Sequence, residues 1–90
     1  MNRNYKDPQY TKWRKQIKSR DKFTCQWPGC NVKQKLHAHH IYKWSEFPGL
    51  RFHINNGITL CKSHHDYIKG CEDNYRQFFT NLILNKGKLK

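Results

Sequence analysis

Acidic residues are scarce in this chain. Its 90 residues include 6 Asp and Glu against 18 Lys and Arg, which gives a formal net charge of +12. A surplus of this size has no role in core stability and indicates a polyanionic partner. The basic residues are interleaved with Trp and Tyr rather than lying on one face of a long apolar helix, which favours nucleic acid over a membrane surface. For any single lysine, a solvated surface charge is the simpler interpretation.

Long apolar runs are lacking as well. Residues 1–5 contain no apolar stretch of the kind that begins a secretory signal, and no later segment is typical of a transmembrane helix or an internal repeat. We therefore expect a cytoplasmic rather than a secreted protein, with a single small domain over residues 1–90 and no membrane partner.

Four cysteines in so short a chain indicate a cross-link, either by two disulfides or by a metal ion. A domain of this size buries little apolar surface and commonly needs such a link. Disulfides require an oxidising compartment, so zinc is favoured. Cys25 and Cys30 are separated by four residues and Cys61 and His64 by two, which are spacings typical of structural zinc ligands. Cys71, ten residues beyond Cys61, is the alternative to His64, and we expect it to be a free thiol.

The pattern of apolar and capping residues predicts three helices and two short strands. Asp7 followed by Pro8 is typical of a helix start, and apolar residues recur after it at helical spacing, which predicts a basic lead-in helix over about 8–20. Further predictions are strands over 36–41 and 58–60 joined by a long irregular loop, a helix over 62–69 that ends at Gly70, and a last helix, capped by Asp73, over about 73–84.

His39, His40, Asn56 and His65 are left without a zinc role, and together they provide the groups of a metal-assisted phosphodiester hydrolase. Segments 25–30, 36–41 and 55–65 resemble the HNH endonuclease family in their order and approximate spacing. The resemblance runs from about residue 23 to 70 and implies a small, zinc-stapled α+β protein with the ββα-metal (HNH or His-Me finger) fold. The basic residues before it are similar to those of small free-standing HNH proteins from phages.

The resemblance also implies a role for each of these residues. His39 and His65 are the expected ligands of a catalytic divalent ion, His40 is the general base, and the Asn56 amide braces a loop or coordinates the ion. Asn55 is the alternative to Asn56. Many relatives carry aspartate where His39 stands, and two neutral imidazoles offset less of a hard ion's charge, so Mn²⁺, Ni²⁺ or Co²⁺ is expected to support activity better than Mg²⁺.

Adjacent histidines on one strand present a difficulty, because strict alternation sends His39 and His40 to opposite faces. We therefore expect the backbone to leave pleated geometry at His40, and regular strand geometry through Ile41 would count against this. His37 and His53 are interpreted as ordinary polar residues.

Double-stranded DNA is the expected substrate. The resemblance implies cleavage that leaves 5′-phosphate and 3′-hydroxyl ends. Because Lys and Arg contacts with the DNA backbone carry little sequence information, we expect weak sequence preference. A monomer should nick one strand per encounter and make double-strand breaks only as a weak dimer or by paired nicks. The similarity to phage proteins implies a role beside genome packaging, with terminase among the partners, or in homing or restriction. The residues that we expect to contact DNA are Arg14, Lys18, Arg20, Lys43, Trp44 and Arg51.

Two other functions use the same charge and cysteines. One is a non-catalytic zinc-stapled DNA-binding adaptor module, which has no use for His39, His40 and His65. The other is an enzyme or ribosome-associated protein directed to RNA, since a basic aromatic surface does not distinguish DNA from RNA. Competition between duplex DNA and structured RNA would separate these.

Overall fold

The structure, a computed structural model, describes residues 6–85. The regular elements are α1 (Pro8–Arg20), β1 (Leu36–His40), β2 (Gly57–Cys61), α2 (Lys62–Tyr67) and α3 (Arg76–Asn85), with short 3₁₀ turns at Pro48–Leu50, Ile54–Asn56 and Glu72–Tyr75. The fold class is therefore α+β, as predicted, with an antiparallel sheet formed by β1 and β2.

Helix α1 begins and ends where the capping pattern predicts. The Asp7 side chain accepts a hydrogen bond from the Gln9 amide at 2.9 Å, and Pro8 occupies the first turn, where its missing N–H costs no bond. Tyr10, Trp13 and Ile17 form the buried stripe of the helix. With Trp44 they make up a group that we call the aromatic cluster.

The two strands pair from Leu36 opposite Cys61 to His40 opposite Gly57. Alternate residues of β2 point to different sides: Gly57 faces α1, whereas Ile58 lies in the main core. The main core consists of Cys25, Ile41, Ile58, Leu60, Cys61, Ile68, Phe79 and Ile83. The sheet therefore separates the aromatic cluster from the main core.

Two helix boundaries differ from the predictions. Helix α2 ends at Tyr67, two residues early, although Gly70 adopts the positive φ of +87° expected after a helix end. Asp73 does not cap the last helix, which begins at Arg76 after a 3₁₀ turn. The Asp73 carboxylate instead pairs with Arg76 at 3.0 Å and with Lys43 at 3.6 Å.

None of the helices within residues 6–85 combines the length and the apolar character needed to cross a membrane.

Candidate metal centre and histidine cluster

The four predicted zinc ligands lie together. The sulfur atoms of Cys25, Cys30 and Cys61 and a ring nitrogen of His64 are all within 4.8 Å of one another. His64 Nδ1 is 3.6 Å from the Cys25 sulfur and 3.3 Å from the Cys61 sulfur. Ligands on a tetrahedral zinc ion are separated by roughly 3.5 Å, so this donor set can hold a metal ion and suits zinc.

Local backbone geometry brings the two halves of this site together. Cys61 ends β2 and His64 lies in the first turn of α2, so the strand-to-helix junction sets one pair. The other pair closes because Gly29, at φ +83°, allows the reversal that lets the Cys30 amide donate to the Trp27 carbonyl at 2.9 Å. Trp27 also stacks on the His64 ring, with centroids 4.7 Å apart and planes 6° apart. This stack fixes the plane of the ligating imidazole.

The pKa values of the two core cysteines, Cys25 and Cys61, are shifted in opposite directions. Desolvation raises the pKa of the Cys25 thiol to about 11. Burial acts in the same direction on Cys61 and is the largest single influence there, but hydrogen bonds with the His64 amide, the Cys25 and Cys30 thiols and the Ser63 amide together outweigh it, so the pKa of Cys61 is lowered. Cys61 is therefore the thiol more ready to ionise, and a metal ion must displace the proton of Cys25.

Cys71 does not belong to this group. It is a half-buried free thiol that precedes the Glu72–Tyr75 turn, and the ligand cluster found among residues 6–85 contains His64 instead.

A second group of histidines lies between β1 and α2. The rings of His39 and His65, the predicted ligands of the catalytic ion, meet edge to face with centroids 5.8 Å apart. The His37 ring also stacks on His65, with centroids 4.7 Å apart. Burial, followed by the charges of His37 and Lys69, lowers the pKa of His65, which favours the neutral imidazole that a metal ion requires. The place of His37 was missed, although the i, i+2 spacing with His39 puts both on one face of a strand.

Unlike His37 and His39, which contact His65, His40 contacts the aromatic cluster. Its ring stacks on Trp13 with a centroid distance of 3.9 Å and an angle of 11°, and it is 5% exposed. Strand β1 ends at His40, one residue short of the predicted 36–41, but His40 is itself part of the strand and pairs with Gly57. The rings of His39 and His40 therefore pack against different clusters, as strand alternation requires. The end of the strand at His40 does not bring both rings to one site.

The His40 ring is oriented by a backbone carbonyl. Its Nε2 lies 2.9 Å from the Arg51 oxygen, which can only accept, so Nε2 donates its proton to that oxygen, and in the neutral form of the ring the basic lone pair is on Nδ1. Arg51 belongs to the loop between the strands.

Asn56 braces that loop. Its side chain is buried and accepts from the Tyr42 amide at 2.7 Å. It also donates to the Tyr42 carbonyl at 3.1 Å and to the Leu50 carbonyl at 3.0 Å. Asn55 is exposed. Of Asn55 and Asn56, Asn56 is thus the residue with a bracing role. Its bond to the Leu50 carbonyl holds the residue next to Arg51, whose carbonyl orients His40.

Arg20 makes internal contacts rather than presenting its charge to solvent. Its guanidinium forms two 2.9 Å bonds to the Asp21 carboxylate and donates to the Ile54 carbonyl at 2.8 Å and to the Gly57 carbonyl at 2.7 Å. Asp21 in turn accepts from the Thr59 amide at 2.9 Å. We now interpret Arg20 as a structural link between α1 and β2.

The aromatic residue expected to contact DNA is also internal. Trp44 is 8% exposed, and the Arg51 guanidinium lies over its ring at 4.6 Å. Lys43 is more exposed but pairs with Glu46 at 3.8 Å and with Asp73 at 3.6 Å. A stacking role for Trp44 would require the loop to open.

The remaining expected contacts lie on α1. Arg14 is half-buried with its guanidinium 4.8 Å above the Tyr10 ring, and Lys18 is half-buried. Lys12 and Lys15 are exposed and line an open groove on the outer side of the helix. DNA binding by these residues stays a prediction.

Comparison of the chain with protein-family models, with characterised proteins and with solved structures found no match.

Proposed function

We propose that this protein is a metal-dependent endonuclease of the HNH type, which hydrolyses DNA phosphodiester bonds and whose Cys25, Cys30, Cys61 and His64 bind a structural zinc ion. The observation that carries the proposal is the connection from Asn56 through the loop to His40. The Asn56 amide holds the Leu50 carbonyl, and the neighbouring Arg51 carbonyl fixes the His40 tautomer. A histidine base held in a fixed orientation beside a braced asparagine is what water activation requires.

Metal binding is assigned to the other pair of histidines. His39 on β1 and His65 on α2 meet at 5.8 Å between ring centres and would hold the catalytic divalent ion. Such an ion supplies charge that stabilises the scissile phosphate and the leaving 3′ oxygen. His65 stays neutral because its pKa is lowered, so it can act as a ligand near pH 7.

His40 acts as the base. It takes the proton of the attacking water at Nδ1 while Nε2–H stays on the Arg51 carbonyl. Because His40 is 5% exposed, the part of the loop that carries Trp44, whose ring lies 5.5 Å from that of His40, must move aside while Arg51 stays in place before water and phosphate reach the base. His39 and His40 can serve one phosphate only if the end of β1 turns at the same time. DNA binding is expected to drive both movements through its contacts with the basic residues of α1 and the loop.

The burial of His40 also favours a second candidate function. If the loop does not open, His40 is a packing residue of the aromatic cluster and the chain is a non-catalytic, zinc-stapled DNA-binding module. Its net charge of +12 suits either function.

Relaxation of supercoiled plasmid by the zinc-loaded protein decides between the nuclease and the binding module. It is measured with Mg²⁺, Mn²⁺, Ni²⁺ or no added ion. The nuclease proposal expects metal-dependent nicking that falls at least about a hundredfold in His40→Ala, the scale of general-base catalysis. His53→Ala is the matched control, since it also removes one imidazole but from an exposed position. Zinc content and salt-sensitive DNA binding are measured for each variant, with structured RNA as competitor.

Two results would overturn the nuclease proposal. One is tight DNA binding without cleavage by any ion, which leaves the binding module. The other is cleavage that His40→Ala retains in full, which removes His40 as the base.

A further inference from the structure

His37 is the histidine that the proposed mechanism does not use. It lies two residues before His39 on β1, so both side chains project from the same face of the strand. The His65 ring contacts both, 4.7 Å from the His37 ring and 5.8 Å from the His39 ring, measured between centroids. The three imidazoles therefore form a continuous group.

Two of the three ring separations are close to what a shared metal ion would require, although the three imidazoles do not form a closed ligand cluster like that of Cys25, Cys30, Cys61 and His64. With a metal–nitrogen bond near 2 Å and tetrahedral angles, the ring centres of two ligating imidazoles are roughly 5 Å apart. The two measured separations lie on either side of that value. His37 is exposed, so its ring can turn from the stacked orientation toward a common ion.

We propose that His37 is a third ligand of the divalent ion held by His39 and His65, which makes the site a three-histidine centre. This inference rests on the proposed function for the first two ligands. It also predicts which ions bind. Three neutral imidazoles offset none of the ion's charge and prefer Ni²⁺, Co²⁺ or Zn²⁺ over Mg²⁺, which prefers oxygen ligands.

The three histidines are buried to different degrees, so the proposed site has one open side. His39 is 8% exposed and packs against Phe79, with ring centroids 5.6 Å apart, whereas His37 is exposed. The main core thus covers the inner ligand, and the ion would enter and exchange water on the His37 side. An open coordination position on that side is what a catalytic ion needs.

Calorimetric titration of the zinc-loaded protein with Ni²⁺ tests the inference, with His37→Ala compared against His53→Ala. We expect His37→Ala to weaken Ni²⁺ binding by at least about tenfold, His53→Ala to leave it unchanged, and Mg²⁺ to give no heat at the same concentration. In the wild-type protein, added Zn²⁺, a diamagnetic ion, should shift a ring ¹⁵N signal of all three histidines, because each would have a coordinating nitrogen, and should leave those of His53 unchanged. The NMR measurement does not depend on any variant.

The failure of this inference and that of the proposed function are distinguishable. Equal Ni²⁺ affinity in His37→Ala, with the His37 ring signals unaffected, would overturn the three-histidine centre while plasmid cleavage still supports the nuclease. Weakened Ni²⁺ binding without cleavage by any ion would retain the centre and exclude the nuclease.

Discussion

At the scale of single residues, Asn56 shows how one buried side chain determines the shape of a long loop. An amide carries both donors and an acceptor, and here it uses them to bond both backbone groups of Tyr42 and the carbonyl of Leu50. These positions lie 14 and 6 residues away in sequence, so the amide closes the two ends of the loop together. Because the Asn56 side chain is buried, water cannot replace its bonds when it is removed.

Replacing this side chain should therefore destabilise the fold. We expect Asn56→Ala to lower the free energy of unfolding by about 2 kcal/mol or more, since it leaves buried backbone groups without partners. The exposed neighbour provides a matched control, and Asn55→Ala should change stability by less than about 0.5 kcal/mol. Urea denaturation of the zinc-loaded variants measures both, and equal effects would refute the bracing role.

At the scale of elements, the contact between α1 and β2 depends on the absence of a side chain. A Cβ atom on Gly57 would lie 2.5 Å from a ring carbon of Trp13 and 2.7 Å from the Ile17 side chain. Both side chains are fully buried and cannot move away without shifting the helix. The same Trp13 ring stacks on His40, so the position of the helix also determines that of the proposed base.

A methyl group at this position should separate the two elements. We expect Gly57→Ala to cost about 1–3 kcal/mol of stability, the range found when a packed core receives extra atoms. Gly49→Ala is the control, because a Cβ there meets nothing within 4 Å. Thermal unfolding gives the stability difference. Displacement of the His40 ring signals in Gly57→Ala alone would show that the helix and the base are coupled, whereas unchanged stability would contradict the close contact.

The elements also show which features the sequence could predict. The range of α1 followed from local information, since Asp7, Pro8 and the apolar stripe lie within one segment. The predicted start of α3 was wrong. Asp73 lies in the Glu72–Tyr75 3₁₀ turn and pairs with Arg76 and with Lys43, and the contact with Lys43, thirty residues away, has no signal in the local pattern.

The residues proposed for metal binding and for DNA binding also differ in how far the sequence could predict their positions. The four residues of the cysteine and histidine cluster, which could hold a metal ion, were predicted because their pairs have short spacings. The internal positions of Arg20 and Trp44 could not be read from the sequence, because basic and aromatic residues suit both a DNA-binding surface and a buried contact.

At the scale of the whole molecule, the cysteine and histidine cluster lies where separate parts of the chain meet. Cys25 and Cys61 are themselves members of the main core, and their ligand partners come from the 25–30 turn and from α2. The Gln26 amide also donates to the Thr59 carbonyl at 2.9 Å, which ties the turn to β2. In a chain of 90 residues, a metal ion at this junction would supply stability that the apolar core alone does not.

Loss of a single zinc ligand should consequently affect the entire fold. Cys30 and Cys71 are both half-buried, so replacing each with serine makes a similar change in packing, but only Cys30 belongs to the ligand cluster. We expect Cys30→Ser to lose most of its zinc and its cooperative thermal transition, and Cys71→Ser to keep one zinc per chain and a melting temperature close to that of the wild type. Metal analysis and circular dichroism measure these outcomes. Full zinc retention by Cys30→Ser, or zinc loss in Cys71→Ser, would mean that a different set of residues binds the ion and that His64 must be reconsidered as a ligand.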